Sequence, residues 1–300
     1  MKKVNIRFFF LLSVVFLSCQ TDNFRADIPS YIKIQNFDLV TTFDQGSNSN
    51  KITDAWVTMD GNFLGAFEIP CEIPILEDGF HEFRVYPGIK ANGISATRMI
   101  YPFYNLAQLY LKVDTNFLIA EENLIKLTLD STLSLTAKTS YLENTEFIFI
   151  ENFENLGNIF KKDLESDTGF ILTNDTLFSF EGTSSLINLD NKKSYFKIVT
   201  SELYELNSIN SAIMLEMNYK CDDVFKVGII IENSNNVINF QEIMSINPKK
   251  TWNKIYIYMN DQVQLGNINN KFGIYIESRK SLDKESSFYS YDNVKWLQLN

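Results

Sequence analysis

Any chemistry in this chain has to start from very few groups. The 300 residues contain a single histidine, His81. A Ser-His-Asp or Cys-His arrangement would have to use it, yet it stands in DGFHEF at the start of an alternating segment, where a structural role is expected. Acidic residues are plentiful, 37 against 27 Lys and Arg, and two facing carboxylates are the machinery of glycoside hydrolysis. Abundance sets no distance between carboxyl groups, so it nominates no pair. Twelve glycines in the whole chain and no glycine-rich phosphate loop speak against nucleotide chemistry. The three cysteines, Cys19, Cys71 and Cys221, form no CxxC or Cys/His spacing that would hold zinc. The chain reads as a non-enzyme.

What remains is contact chemistry. A sugar site needs exposed rings beside hydrogen-bonding groups, and the chain holds 25 Phe, 14 Tyr and 3 Trp. Tyr101, Phe103 and Tyr104 crowd into the turn-like stretch YPFYN. That stretch is either an exposed contact surface or a buried corner between domains. Near the C-terminus, Trp296 with Tyr289 and Tyr291 forms a second cluster, either a binding surface or core. Trp56 and Trp252 lie in alternating strands, where a core position is expected.

The elements that must carry these groups are strands. In IKLTLD, Ile125, Leu127 and Leu129 alternate with Lys126, Thr128 and Asp130; in KIYIYM, Ile255 and Ile257 alternate with Tyr256 and Tyr258. A period of two between clusters of Asn, Gly, Asp and Ser is the strand signature. The expected fold is all-β, with two β-sandwich domains. Asp60-Gly61, between AWVTM and NFLGAF, marks a tight hairpin, and Glu77-Asp78-Gly79 punctuates again before HEFRVY. Residues 106 to 145 continue as strands that either complete a first sandwich or form a stalk. From FIFIENFENLG to the end, eight or nine strands suit a jelly roll. The expected division is 31–145 and 146–300, so Cys71 and Cys221 fall in different domains and are expected to stay free thiols.

The order of aromatic strand, DG, strand ending in Pro, Gly-x-His, strand and Pro-Gly resembles the PEGA-type small β-sandwich of bacterial envelope proteins. The longer run through NGISATRMIYPFY is similar to uncharacterised outer-membrane lipoproteins of the Bacteroidota. In the second block, the opening FE, the EGTSSL step, the WNKIYI strand and the closing YSYDNVK strand together resemble galactose-binding-like domains, which include many carbohydrate-binding modules. That resemblance implies a jelly roll and a structural Ca²⁺ where the first and last strands meet. Its ligands, carried over by motif, would be Glu154, Glu181 and Asp292, hard oxygen donors of the kind Ca²⁺ takes.

At the other end, Lys2, Lys3 and Arg7 followed by the apolar run Phe8 to Leu17 read as a secretory leader, too short to span a membrane. Phe16-Leu17-Ser18-Cys19 resembles a bacterial lipobox, which implies cleavage after residue 18, a covalent lipid on Cys19 and a tether over 19–30. Gln20 after the cysteine implies the outer membrane, and TDNF resembles a weak version of the tags that carry such lipoproteins to the cell surface. Losing three basic residues with the leader takes the formal charge from -10 to about -13. Nucleic acid, bound mainly through phosphate neutralisation, is a poor partner for that surface. Two functions fit: an interaction subunit of an outer-membrane assembly with β-barrel or other envelope proteins, using the first domain and the 101–105 turn, or a surface glycan binder using an aromatic face of the second.

Overall fold

Asp60 and Gly61 both take positive φ, 49° and 79°, and so make the hairpin turn expected of them; two consecutive left-handed residues match the twist of the flanking strands. The computed structural model describes residues 28–113, 116–155, 157–206, 211–264 and 270–300. The segment expected to be a leader and Cys19 lie outside them. Among the described residues no helix is long and apolar enough to cross a membrane.

The first half carries β1 (Ser30–Val40), β2 (Asp54–Met59), β3 (Asn62–Glu68), β4 (Cys71–Ile75), β5 (Gly79–Lys90), β6 (Arg98–Ile100), β7 (Gln108–Val113), β8 (Asn116–Ile119), β9 (Leu124–Leu127) and β10 (Thr132–Ser140). They form two sheets, β4-β1-β10-β7-β8 and β3-β2-β5-β6 with β9 added to β5. Strand β10 runs parallel to β1, so the segment after residue 106 folds back to complete the first sandwich and is no stalk. Its core is the alternate face of these strands: Ile32, Ile34, Val57, Val85, Leu109 and Leu135 are all buried.

The second half carries β11 (Thr145–Glu151), β12 (Phe160–Lys162), β13 (Ile171–Thr173), β14 (Ser184–Leu189), β15 (Tyr195–Thr200), β16 (Tyr204–Glu205), β17 (Ile213–Cys221), β18 (Phe225–Glu232), β19 (Ile238–Ile246), β20 (Lys249–Tyr258), β21 (Lys271–Arg279) and β22 (Ser287–Leu299). One sheet runs β13-β14-β22-β17-β20, with β11 also on β22; the other runs β12-β15-β21-β18-β19, with β16 on β21. The fold is all-β, a pair of β-sandwiches. Cys71 and Cys221 are free thiols.

The sheet built on β22 is buried on both faces, and the alternation shows how. Ile213, Leu215 and Met217 belong to the second core, whereas Met214 between them packs into the first. Likewise Ile255 and Ile257 face inward, while Tyr256 and Leu297 join the first sandwich. One face of this sheet is therefore closed off by its neighbour. The outer face of the opposite sheet has no second sheet over it: Ile238 and Phe240 are exposed there, while Lys197, Val199, Ile230 and Tyr275 are buried beneath neighbouring side chains.

Candidate functional site

The exposed face of the β12-β15-β21-β18-β19 sheet is set by simple alternation. Phe272, Ile274 and Ile276 of β21 point into the core, so Gly273, Tyr275, Glu277 and Arg279 point out. By the same count β15 presents Tyr195, Lys197 and Val199, and β18 presents Lys226, Gly228 and Ile230. Strand pairing lines these up in rows: Lys197 opposite Glu277, Glu277 opposite Lys226, and Ile230 opposite Phe240.

This face is concave. Lys197 on β15 and Phe240 on β19 are three strand spacings apart, about 14 Å in a flat sheet. Side chains standing upright from such a sheet could not meet across it, yet the Lys197 ammonium lies 3.4 Å from the centre of the Phe240 ring. The sheet must curl to bring its edges together. Two glycines form the floor: a Cβ on Gly228 would sit 2.1 Å from Tyr275 Cε1, and one on Gly273 would meet Leu203 Cδ2 and Thr200 Oγ1 at 2.6 Å. Tyr275 therefore lies across Gly228, 5.5 Å from the Phe240 ring centre in an edge-to-face contact.

Two hollows flank this central stack. One, of about 520 Å³, is walled by Leu164, Val199, Leu203, Ile230, Ile238 and Phe240, with Lys161 and Asp163 at its rim. The other, of about 300 Å³, is lined by Tyr195, Lys226, Glu277 and Arg279 together with Asp223, Val224 and Ser281. Each charge here has a partner, though not in every case an opposite charge. Lys226 contacts Glu242 at 2.6 Å, Tyr195 donates to Glu277 Oε2 at 2.7 Å, and the Arg279 guanidinium stacks 4.8 Å over the Tyr195 ring. The hydrogen bond from Lys226 holds the Glu242 carboxyl below its usual range. Burial, then the charges of Glu277 and Glu242, push the Tyr275 phenol up to about 12. The arrangement offers apolar surface and rings beside carboxylates, ammoniums and a guanidinium, with little net field.

The three acids nominated for calcium line one cavity of about 370 Å³, which also takes in Thr42, Phe43 and Ser47 of the first sandwich. Glu154 Oε1 accepts the Thr183 N–H at 2.5 Å. Asp292 Oδ2 accepts from Ser184 Oγ at 2.6 Å and the Glu181 N–H at 3.3 Å, and its Oδ1 accepts the Asn293 N–H at 2.7 Å. All the donors to Asp292 are neutral. Burial, with the nearby Glu181 charge adding to it, pushes this carboxyl up to about 7. A buried acid beside a second acid, with Asn152 and Asn293 on the same wall, suits a hard cation. The three carboxylates do not converge to ligand spacing, however. Among the described residues the trio that does is Asp60, Glu77 and His81, with donor atoms within 4.8 Å of one another.

The aromatic residues nominated for binding are all buried, which corrects that nomination and leaves the second of the two alternatives, a buried corner and a core cluster. Tyr101, Phe103 and Tyr104 pack between the sandwiches: Tyr101 lies 4.9 Å from Tyr256 and Tyr104 lies 5.1 Å from Tyr141, ring centre to ring centre. Tyr289, Tyr291 and Trp296 project from β22 into the second core. The reason is shared. Tyrosine carries an apolar ring and a polar tip, and each site gives the ring packing, as with Tyr289, whose hydroxyl meets Ser278 Oγ at 2.9 Å. Trp56 and Trp252 are half-buried. His81 binds Asp60 Oδ2 at 2.6 Å, tying β5 to the β2–β3 turn.

The groove residues Tyr195, Lys197, Lys226, Phe240, Tyr275, Glu277 and Arg279 escaped the sequence reading. One signal was present: an isolated glycine inside a strand marks a close approach, and both GIII and FGIYI carry one.

No protein-family model matches the chain, and no curated protein matches it. Solved structures do. The chain is similar to a family 11 carbohydrate-binding module of a cellulosomal cellulase of Clostridium thermocellum, at 16% identity over 51% of this chain and 93% of that one, TM-score 0.35. It is also similar to the xylan-binding domain from CBM 22, at 12% identity over 50% and 93%, TM-score 0.34. A third is a mutant family 29 carbohydrate-binding module, at 15% identity over 51% and 90%, TM-score 0.32.

Proposed function

We propose that the chain is a non-catalytic glycan-binding protein that holds a neutral saccharide in the groove on the outer face of the second sandwich. The observation that supports this is the concave face itself, where an apolar hollow with an exposed ring adjoins a row of charged side chains of both signs. A sugar presents apolar C–H faces and a rim of hydroxyls. Phe240, Ile238 and Leu203 suit the first, and Glu277, Lys226, Arg279 and Tyr195 suit the second, since carboxylates accept and cations donate. Because Lys226 and Glu242 already pair, and the remaining lining holds charges of both signs, a neutral ligand fits better than a charged one.

The assembly-subunit reading loses one of its two designated surfaces, because Tyr101, Phe103 and Tyr104 of the 101–105 turn lie inside the interdomain contact. Glu154, Glu181 and Asp292 would have to draw together before they could hold a Ca²⁺ ion, since their carboxylates do not stand at ligand spacing. Anchoring by a lipid on Cys19, on the outer membrane and facing the cell exterior, completes the proposal. Its check is metabolic acyl labelling that is lost in Cys19→Ala, with protease accessibility on intact cells.

The test of the main reading is calorimetry or affinity electrophoresis of the full chain against soluble neutral polysaccharides. Mixed-linkage β-glucan and xylan are the first probes, since a family 11 module is known in complex with a β-1,3-1,4-mixed-linked tetrasaccharide. Saturable binding that falls at least tenfold in Phe240→Ala supports the groove. Binding unchanged by that substitution, or no binding across the panel, refutes it.

A further inference from the structure

A further cavity, of about 420 Å³, opens where the two sandwiches meet, at the end of β19 away from Phe240, with Met244, Ser245 and Ile246 in its wall. Lys51 and Asn92 approach it from the first sandwich; Asn247, Lys249, Asn253 and Lys254 approach from the second. No Asp or Glu lines it, on a chain whose formal charge is -10. Lys254 is answered by Glu216 at 2.7 Å. Lys51 donates only to a neutral amide, Asn253 Oδ1, at 2.6 Å. Among the described residues neither Lys51 nor Lys249 has a carboxylate within ion-pair distance. Burial, then the charges of Lys249 and Lys90, hold the Lys51 ammonium below its usual range. The cavity thus concentrates positive charge without an internal counterion.

The remaining lining narrows the ligand. Asn92 Oδ1 is taken by the Tyr258 N–H at 2.9 Å, so its free capacity is as a donor. Ile94, Met244 and Ile255 supply apolar wall. The volume is that of a small-molecule site. A bare inorganic ion would leave the apolar wall unused, whereas a sugar ring would cover it.

We propose that this interdomain cavity binds an acidic sugar, with its carboxylate or sulfate between Lys51 and Lys249 and its ring against Ile94 and Ile255. The site is separate from the groove and does not depend on the groove reading.

The test is isothermal titration calorimetry of the full chain at low salt with glucuronate, a sulfated monosaccharide, inorganic sulfate and neutral glucose. The expected result is one saturable site for the acidic sugars, weakened at least tenfold by Lys249→Gln and by Lys51→Gln, and weakened by added salt. Lys249 is exposed, so its substitution leaves folding intact, as an unchanged melting temperature would show. The Gly228→Ala variant, which alters only the groove, should bind acidic sugars as before. Absence of saturable binding, binding indifferent to both lysine substitutions, or sulfate binding as tightly as the sugars would each overturn the proposal.

Discussion

Two Lys–Glu pairs of nearly identical length sit on opposite faces of the second sandwich. Lys254 and Glu216 are 2.7 Å apart with side chains 2% and 0% exposed; Lys226 and Glu242 are 2.6 Å apart at 45% and 41%. The covered pair is the centre of a network. Tyr101 donates to Glu216 Oε1 at 2.6 Å, Tyr141 donates to both its oxygens at 3.0 Å, and Lys254 donates to the Ser49 carbonyl at 2.7 Å. Burial works against the Glu216 carboxylate, but Lys254 and then Lys295 outweigh it and hold the carboxyl below its usual range. The open pair needs no such support, because water solvates it. The same chemistry therefore fixes domain docking on one face and remains available to a ligand on the other.

The comparison predicts its largest effect at Glu216. Removing one partner of a buried pair strands the other, at a cost of about 3–5 kcal/mol. Glu216→Ala should lower the unfolding free energy by that order in urea titration, with Lys254 and two phenols left without their carboxylate. A loss below about 1 kcal/mol would mean that the interface is hydrated or opens readily, and the contrast between the faces would collapse.

Lys295 sharpens the covered side. It is fully buried and donates to the Ser47 carbonyl at 2.6 Å and to Tyr141 Oη at 3.3 Å, with no carboxylate in ion-pair contact among the described residues. Burial, then the Lys254 charge, bring its ammonium down to about 7. The folded state then holds fewer protons than the unfolded one between pH 7 and the ordinary lysine value, so stability should rise with pH across that window. Each tenfold difference in acidity is worth about 1.4 kcal/mol, which allows a few kcal/mol at most. Lys295→Met should flatten this part of the curve; a wild-type profile flat from pH 7 to 10 would refute the account.

On the open face the sharpest probe is Gly228→Ala. The added methyl must displace the Tyr275 ring, and overpacking of that kind costs about 1–3 kcal/mol. Glycan affinity should fall at least tenfold while acidic-sugar binding at the interdomain cavity persists. Retained glycan affinity would place the sugar elsewhere.

The strands and the Asp60-Gly61 turn were legible because both are local: alternation and positive φ need only neighbours in sequence. Glu154, Glu181 and Asp292 were found to share a cavity because strand-end motifs report which ends meet. The rings stayed open between surface and core, since Tyr101 and Tyr289 look alike in sequence whether their hydroxyls meet water, Glu216 or Ser278. The groove was hidden for another reason. Lys197, Lys226, Glu242 and Glu277 become neighbours only through strand pairing across many residues, and the curl that brings Lys197 to Phe240 has no local signature beyond two glycines. Tyr256 shows the same limit, for an outward residue on an alternating strand faces solvent or a neighbouring domain with the same pattern.

The smallest expected effect closes the comparison from the other side. Exposed ion pairs contribute between nothing and about 1 kcal/mol, so a double-mutant cycle on Lys226→Gln and Glu242→Gln should give a coupling near or below about 0.5 kcal/mol. Because the hydrogen bond from Lys226 lowers the Glu242 carboxyl, that coupling is present above the ordinary glutamate value and is lost as pH falls through the folded one. It should also vanish in high salt, where exposed charges are screened within about 3 Å at 1 M, while the loss caused by Glu216→Ala should hardly change. A coupling above 2 kcal/mol that survives high salt would show this pair to be as shielded as its buried counterpart. The groove would then be closed in the free protein, and a ligand would have to open it before touching Glu277 or Lys226.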